Sequence, residues 1–506
     1  MKLEILSRKL LHSLDPAKIT LPTEEQLSYP EKVLQFGTGA FLRAFVEDFI
    51  DRANRIGKFK GRVVMVGSTG SARTELLKKQ EGLYTLRVEG ICQGEAVVEN
   101  RVISSISRVL SAQDEWDQVL ACVRNPALNL IVSNTTEAGI RLQKENIYTH
   151  LPVSFPGKLT ACLWERYKAF DGEEGMTILP CELVVNNGTL LKSMVIEQAR
   201  FNHLEEGFFE WLREKVSFRN TLVDRIVPGT PDSIKKEAVW KELGYQDEML
   251  NVAEVYRLWA IEGSESLSDK FPFLAVDPGI ILQGDISSFR ERKLRILNGG
   301  HTISVAVGFL AHLKTVSDCL EDALISEFIS TVILNEIVPA LENEEADFAL
   351  EVLDRFRNPH LNHHLLSIAL QYSSKMESRN AETFFKYFAK FQRVPSLMTL
   401  GFAAFMYFMR VKPCEVGFMG CYQGVEYEVE DQNAKYFSDF WKDASLSSTE
   451  ELRAVLAKFF EESPFWKVNF NAIPNFSDSV AEFLIKVDQL GVRKLIELEL
   501  TKLKGS

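Results

Sequence analysis

The chain has 506 residues, 46% of them apolar and 25% charged, enough for two hydrophobic cores and outside the disordered and collagen-like classes. Fifty-eight basic against seventy acidic residues leave a net charge of −12, the wrong sign for a phosphate backbone, so no nucleic-acid partner is expected. The start, MKLEILSRKLLHSLDPAKITLP, places a charge every few positions and does not read as a signal peptide.

The longest strongly apolar stretch, Gly401 to Met409, is about half of the ~20 residues a membrane span requires, so no membrane partner is expected. The seven cysteines (Cys92, Cys122, Cys162, Cys181, Cys319, Cys414 and Cys421) are scattered and form no CxxC pair. That pattern argues for reduced thiols and a cytoplasmic setting, against a disulfide framework and against zinc. Nothing in the sequence sets an oligomeric state.

In chain order, short β-rich runs alternate with helical stretches from about residue 30: EKVLQF, AFLRAFVEDFIDRAN, RVVMVG, a helical segment, and later LNLIVSN and MTILP. This alternation marks a parallel α/β sheet. The helix after the first strand carries Phe41, Phe45, Phe49 and Ala53 at four-residue spacing, a stripe expected to pack on the sheet.

After about residue 285 strand signals become sparse, and long helical runs follow: ERKLRILNGGHTISVAVGFLAHLKTV, ALISEFISTVILNEIVPALE, and a terminal run to Lys504. The turn-rich SESLSDKFPF and the DPG of Asp277 to Gly279 precede the change. The reading is an α/β N-terminal Rossmann-like domain over 1–285 and a mostly α-helical C-terminal domain over 286–506.

Residues 32 to 43 read KVLQFGTGAFLR, a strand followed by Gly37-Thr38-Gly39 and a helix start. Glycines let the backbone turn tightly beside a pyrophosphate, so Phe36, Gly37, Thr38, Gly39, Ala40, Phe41 and Arg43 are the candidate dinucleotide-binding residues. The third glycine of the usual GxGxxG is Leu42 here.

The next strand ends in Ser68-Thr69 rather than an acid. Ser68 is a candidate cofactor contact, and Arg73 either meets a 2′-phosphate or is simply solvated. Local chemistry leaves NAD and NADP both open. The strand LNLIVSN runs into Thr135-Thr136-Glu137, so Asn134 and Thr135 stand either at a ligand site or in an ordinary strand-to-helix turn.

Residues 293 to 301 read KLRILNGGH. On an α-helix, at about 100° per residue, Lys293, His301 and Asn298 fall at roughly 0°, 80° and 140° and can flank one cavity. A lysine can act as general acid or base, an Asn amide can donate to a developing alkoxide, and a His can hold a hydroxyl. The same spacing also fits a helix start with a solvated lysine and a core histidine.

Taken together, GTGAFLR (37–43) and KLRILNGGH (293–301) resemble the GxGxFxR and K-x4-N-x2-H signatures of the polyol-specific long-chain dehydrogenase/reductase family, the group containing mannitol dehydrogenase. NTTEAGI (134–140), NNG (186–188), VDRIVP (223–228), AEVYRLWAIEG (253–263) and RFRNP (355–359) extend the resemblance over nearly the whole chain. QEGLYTLRVEG, FPGKLTACLWERY, RILNGGHT and SIALQYSSK look like the branch that reduces tagaturonate.

The resemblance implies an NAD-binding domain, a helical domain and an active site between them, with reversible reduction of tagaturonate to altronate in hexuronate breakdown and no metal. It implies Lys293 as general acid/base, Asn298 with Asn187 as an oxyanion-stabilising pair, and His301 on a substrate hydroxyl. Asp224 would tune the lysine or else pair locally with Arg225. Lys375 and His363 or His364 would meet substrate hydroxyls or carboxylate.

Two departures stand out: Cys181-Glu182-Leu183 where polyol dehydrogenases have an Asp-Asn pair after the cysteine, and Leu42 where many members have His. They leave fructuronate or a neutral polyol such as mannitol as alternative substrates. A nucleotide-sensing protein that lost catalysis is the remote alternative.

Overall fold

Apolar runs too short for a helix become strands buried on both faces. In the computed structural model the described residues are 3–67, 72–135, 139–148, 151–341, 345–360 and 363–505. They fall into two compact units, Met1–Gly90 with Ala96–Ser287, and Ile91–Glu95 with Ser288–Ser506.

The first unit is built on six strands: β1 (Glu31–Phe36), β2 (Arg62–Gly67), β3 (Ile106–Ser111), β4 (Leu130–Ser133), β5 (Met176–Pro180) and β6 (Val216–Phe218). All pair in parallel, in the order β3-β2-β1-β4-β5-β6. Every residue of β2, β4 and β5 is buried, as expected of a parallel sheet covered on both faces.

Alternate side chains feed opposite cores. Leu34, Val64, Ile131 and Ile178 join Leu159, Leu191 and Phe208 on one face; Val33, Val63, Leu130, Val132 and Leu179 join Phe45, Phe49 and Trp259 on the other. The strand order reverses between β1 and β4, where Phe36 pairs with Ser133. A crevice at the carboxyl ends of such a pair is where open α/β sheets bind ligands.

The helix expected after β1 is two helices, α1 (Ala40–Arg43) and α2 (Val46–Arg55), broken at Phe45. At the break the carbonyl oxygens of Arg43 and Ala44 accept from the Tyr84 hydroxyl and the Arg225 guanidinium at 2.5 Å each, so the helical ladder need not continue. Phe45, Phe49 and Ala53 are buried as the stripe requires, with Phe45 and Phe49 against Trp259 at 5.5 and 5.9 Å; Phe41 is only half-buried.

SESLSDKFPF, read as turn-rich, forms helix Glu265–Lys270 and a 3₁₀ turn at Pro272–Ala275. Burial of Leu267, Phe271 and Phe273 in the second core outweighs its turn-prone composition.

In the second unit the run over KLRILNGGH is not a plain α-helix. Helix Ser287–Arg292 passes into a π-helix, Lys293–Gly299, and then into helix Gly300–Leu310. Two further π segments, Val332–Ile337 and Glu377–Ala381, pack in the same unit.

A three-stranded antiparallel sheet (Val411–Pro413, Phe418–Tyr422, Val425–Glu428) also lies in this helical unit. Helix Ala323–Ala340, 18 residues of mean hydropathy 1.4, is long and apolar enough to cross a membrane, which corrects Gly401–Met409 as the longest apolar stretch. Half of it is buried within its unit, and its Glu336 carboxylate accepts the Leu397 and Met398 N–H groups at 2.9 and 2.6 Å, capping helix Ser396–Phe408.

Candidate functional site

The glycine turn is shaped by three buried side chains. Gln35 Nε2 donates to the Gly37 carbonyl at 3.0 Å, Arg43 Nε to the Thr38 carbonyl at 3.3 Å, and Asn251 Nδ2 to the Ala40 carbonyl at 2.9 Å. With their carbonyls held, the N–H groups of Thr38, Gly39 and Ala40 bond to no described residue.

Gly37 has φ +123°, and a Cβ there would lie 3.0 Å from the Asn134 carbonyl oxygen, so only glycine fits. A Cβ on Gly39 would meet nothing within 4 Å. A close turn with open backbone donors beside free space, at the reversal point of the sheet, fits the pyrophosphate of a dinucleotide.

The Phe36 ring is buried against Phe155 at 5.3 Å, and the half-buried Phe41 ring stacks on Phe45 at 4.8 Å. Arg43, expected at the cofactor, is buried and also donates to the Met249 carbonyl at 2.8 Å; it holds the turn from beneath. Burial lowers its pKa. Arg73 is exposed. Ser68, Thr69, Thr136 and Glu137 lie outside the described residues.

Asn134 and Thr135 meet the turn across the β1–β4 crevice. The Asn134 N–H donates to the Phe36 carbonyl at 3.2 Å and its side chain to the Cys181 carbonyl at 2.6 Å. Glu182, one of the departures from the family pattern, gathers this edge: its carboxylate accepts the Ser133 hydroxyl at 3.2 Å and the Thr135 N–H at 3.0 Å. Burial raises its pKa. Only its position after the cysteine marked it in the sequence.

The structure corrects the expected oxyanion pair. The Asn187 carboxamide is fully buried, with the Pro180, Glu182 and Thr221 carbonyls and the Thr221 hydroxyl within 3.0–3.3 Å of Nδ2. Its oxygen accepts the Gly188 and Thr221 N–H groups at 2.8 and 2.9 Å. Both donors and the acceptor are taken up in fixing the end of β5, so in this state Asn187 has nothing to offer a substrate oxygen.

Asp224 ends strand Thr221–Asp224, paired with Leu258, and is buried. Its neighbour Arg225 forms its ion pair with Asp48 at 2.8 Å.

In the helical unit the π-helix changes the phase of the lysine motif. Its i→i+5 bonding means more residues per turn than in an α-helix, so five residues fall nearer to one full turn and the angle between Lys293 and Asn298 is smaller than the roughly 140° of an α-helix. Both are partly exposed, and the Asn298 carboxamide makes no hydrogen bond to a described residue.

The widened turn is held by the segment opposite. Arg295 Nη1 donates to the Ser378 and Arg379 carbonyls at 2.9 and 3.1 Å, and Asn380 Nδ2 to the Gly299 carbonyl at 3.0 Å. A Cβ on Gly299 would sit 3.2 Å from that Asn380 nitrogen, so glycine admits the close approach.

His301 stacks on Phe356 at 3.9 Å and 9°, with the His363 ring 6.1 Å away. Burial, and Arg355 secondarily, lower the pKa of His363, favouring its neutral form. His364 is exposed, at the N-cap of helix Leu365–Ile368, so of the two candidates it is His363 that approaches His301. Lys375 Nζ donates to the Ile368 carbonyl at 2.8 Å; burial, then Arg379, lower its pKa. Arg379, which sequence reasoning missed, donates to the Thr302 hydroxyl at 3.0 Å. Its only sequence signal is a place four residues after Lys375.

Residues 31–273 match the Mannitol dehydrogenase Rossmann domain family, and residues 285–485 match the Mannitol dehydrogenase C-terminal domain family. Relatives include the altronate oxidoreductase of Bacillus subtilis (strain 168), 38% identical over 93% of this chain and 95% of that protein. That of Pectobacterium carotovorum subsp. carotovorum (strain PC1) is 36% identical over 93% and 97%.

Among solved structures, Pseudomonas fluorescens mannitol 2-dehydrogenase, in a ternary complex with NAD and D-mannitol, aligns over 98% of this chain and 100% of its own with a TM-score of 0.67 and 22% identity. A substrate-free D-sorbitol dehydrogenase aligns over 97% and 100% with a TM-score of 0.79, also at 22% identity. These two show the shared fold.

Proposed function

The chain belongs to the mannitol dehydrogenase family, and from that premise we propose that it is an NAD-dependent reductase taking the ketone of tagaturonate to the alcohol of altronate, reversibly, in hexuronate breakdown. It is an oxidoreductase acting on a CH–OH group and a polyol or sugar-acid dehydrogenase with a nicotinamide cofactor. The observation that carries the finer reading is the identity of 38% and 36% with altronate oxidoreductases over 93% of the chain.

The pyrophosphate would lie on the open N–H groups at Thr38 to Ala40, with Gly37 and Gly39 giving room. Bound nicotinamide would supply or accept the hydride. Lys293 is the proton carrier: its ammonium protonates the carbonyl oxygen during reduction, and its amine takes the hydroxyl proton during oxidation. Asn298, brought nearer to it in azimuth by the π-helix, donates its amide to the same oxygen as charge builds there.

His301, its ring plane fixed by Phe356, holds a neighbouring hydroxyl, and His363 and Lys375 serve the rest of the sugar acid. Asn187 positions the β5 end. This residue set calls for no metal.

Replacing Lys293 by Ala is the test. We expect kcat to fall about 100- to 10,000-fold while NADH binding, read by fluorescence titration, stays within twofold. Full activity in that variant would refute the mechanism.

A further inference from the structure

We infer that Arg379 is the residue that selects a sugar acid over a neutral sugar, taking the substrate carboxylate on its free N–H groups; this rests on the keto-uronate reading above. Four hydrogen bonds bind the segment carrying Arg379 along the candidate catalytic motif. Arg295, within the lysine π-helix, holds the carbonyls of Ser378 and Arg379, Asn380 holds the Gly299 carbonyl beside Asn298, and Arg379 Nη1 reaches the hydroxyl of Thr302, the residue after His301. The guanidinium therefore stands beside the Asn298–Thr302 stretch.

It is a half-buried cation with no acid among the described residues to balance it, in a chain with twelve more acidic than basic residues. No described carboxylate pairs with it, and the acids nearest in sequence are engaged elsewhere. Glu377 lies 3.5 Å from Lys467, and Glu382 binds Arg295 and Lys386. Asp431, which faces Lys375, accepts the Ser373 N–H and hydroxyl at 2.7 Å each.

Lys375 adds a second cation, bound among the described residues to the Ile368 carbonyl. The remaining Arg379 nitrogens are not among the sealed, partnerless ones, so they face open space. A desolvated charge without a partner is costly, and a planar fork of donors matches a carboxylate. A neutral sugar, with CH₂OH where the acid has its carboxylate, offers no such partner.

The test is steady-state kinetics of the full chain with tagaturonate and with tagatose, its neutral counterpart, for wild type, Arg379→Gln and Arg379→Lys. Loss of a charged hydrogen-bond pair corresponds to about 10- to 100-fold. Arg379→Gln should therefore lose about that much kcat/KM on tagaturonate, mainly through KM, and stay within twofold of wild type on tagatose.

Should the Gln variant fail to fold, Arg379→Lys carries the test, with a raised KM for tagaturonate and an unchanged one for tagatose expected. An equal loss on both substrates, or no loss on tagaturonate, overturns the inference while leaving the keto-uronate reading intact. A wild type with no preference for tagaturonate overturns both.

Discussion

At Gly37 and Gly39 one substitution separates two roles. Alanine at Gly37 would need φ +123° and would crowd the Asn134 carbonyl at 3.0 Å, so Gly37→Ala should lose about 1–3 kcal/mol of stability together with NADH affinity. Alanine at Gly39 meets no protein atom within 4 Å. Gly39→Ala should keep the wild-type Tm and still bind NADH at least tenfold more weakly, because its methyl enters the space assigned to the pyrophosphate. A calorimetric scan paired with a fluorescence titration checks both, and unchanged affinity in Gly39→Ala would remove the turn from the cofactor site.

These glycines were legible because a steric demand on the backbone leaves its mark within a few residues of sequence. Arg43 and Asn187 were not legible in the same way. What they bind lies at Met249 and Thr221, far along the chain, and a residue type does not reveal whether its donors are already spent.

At the scale of elements, the lysine motif shows where periodicity misleads. Azimuths on an α-helix spread Lys293 and Asn298 apart, whereas the wider turn of the π-helix Lys293–Gly299 brings them closer in azimuth. It is held by tertiary contacts, with Arg295 donating to the Ser378 carbonyl and Asn380 donating back to the Gly299 carbonyl. The strands at 411–428 escaped notice because runs of three to five residues carrying Lys and Glu show no clear alternation.

The π segment Val332–Ile337 carries Glu336, whose burial pushes its pKa up to about 7 against the pull of the two N–H groups it caps. A carboxylate whose pKa is higher folded than unfolded adds stability that is complete below about 4.5 and is lost as pH rises through about 7. We therefore expect the unfolding free energy of wild type to fall across that window by up to about 3 kcal/mol on account of this group. In Glu336→Gln that share of the slope should vanish. Parallel pH profiles of the two proteins in denaturant melts would contradict this assignment. Glu47, also buried and pushed up to about 7, contributes in the same direction in both proteins and cancels in the comparison.

Across the whole molecule, the alternation of apolar runs carried the class of fold, since strands buried on both faces must be continuously apolar and parallel strands need crossovers. The strand order β3-β2-β1-β4-β5-β6 then places the glycine turn and Asn134–Thr135, nearly a hundred residues apart, at one crevice. Substrate identity is a different matter. The sugar-acid preference proposed above rests on Arg379, whose surroundings no composition or period discloses.

The central claim, an NAD-dependent reduction of a keto-uronate, is tested most directly by following absorbance at 340 nm with NADH and NADPH offered separately against tagaturonate, fructuronate and fructose. The account predicts oxidation of NADH with tagaturonate as the dominant acceptor. Preference for fructose, or for NADPH with any of the three, would contradict it.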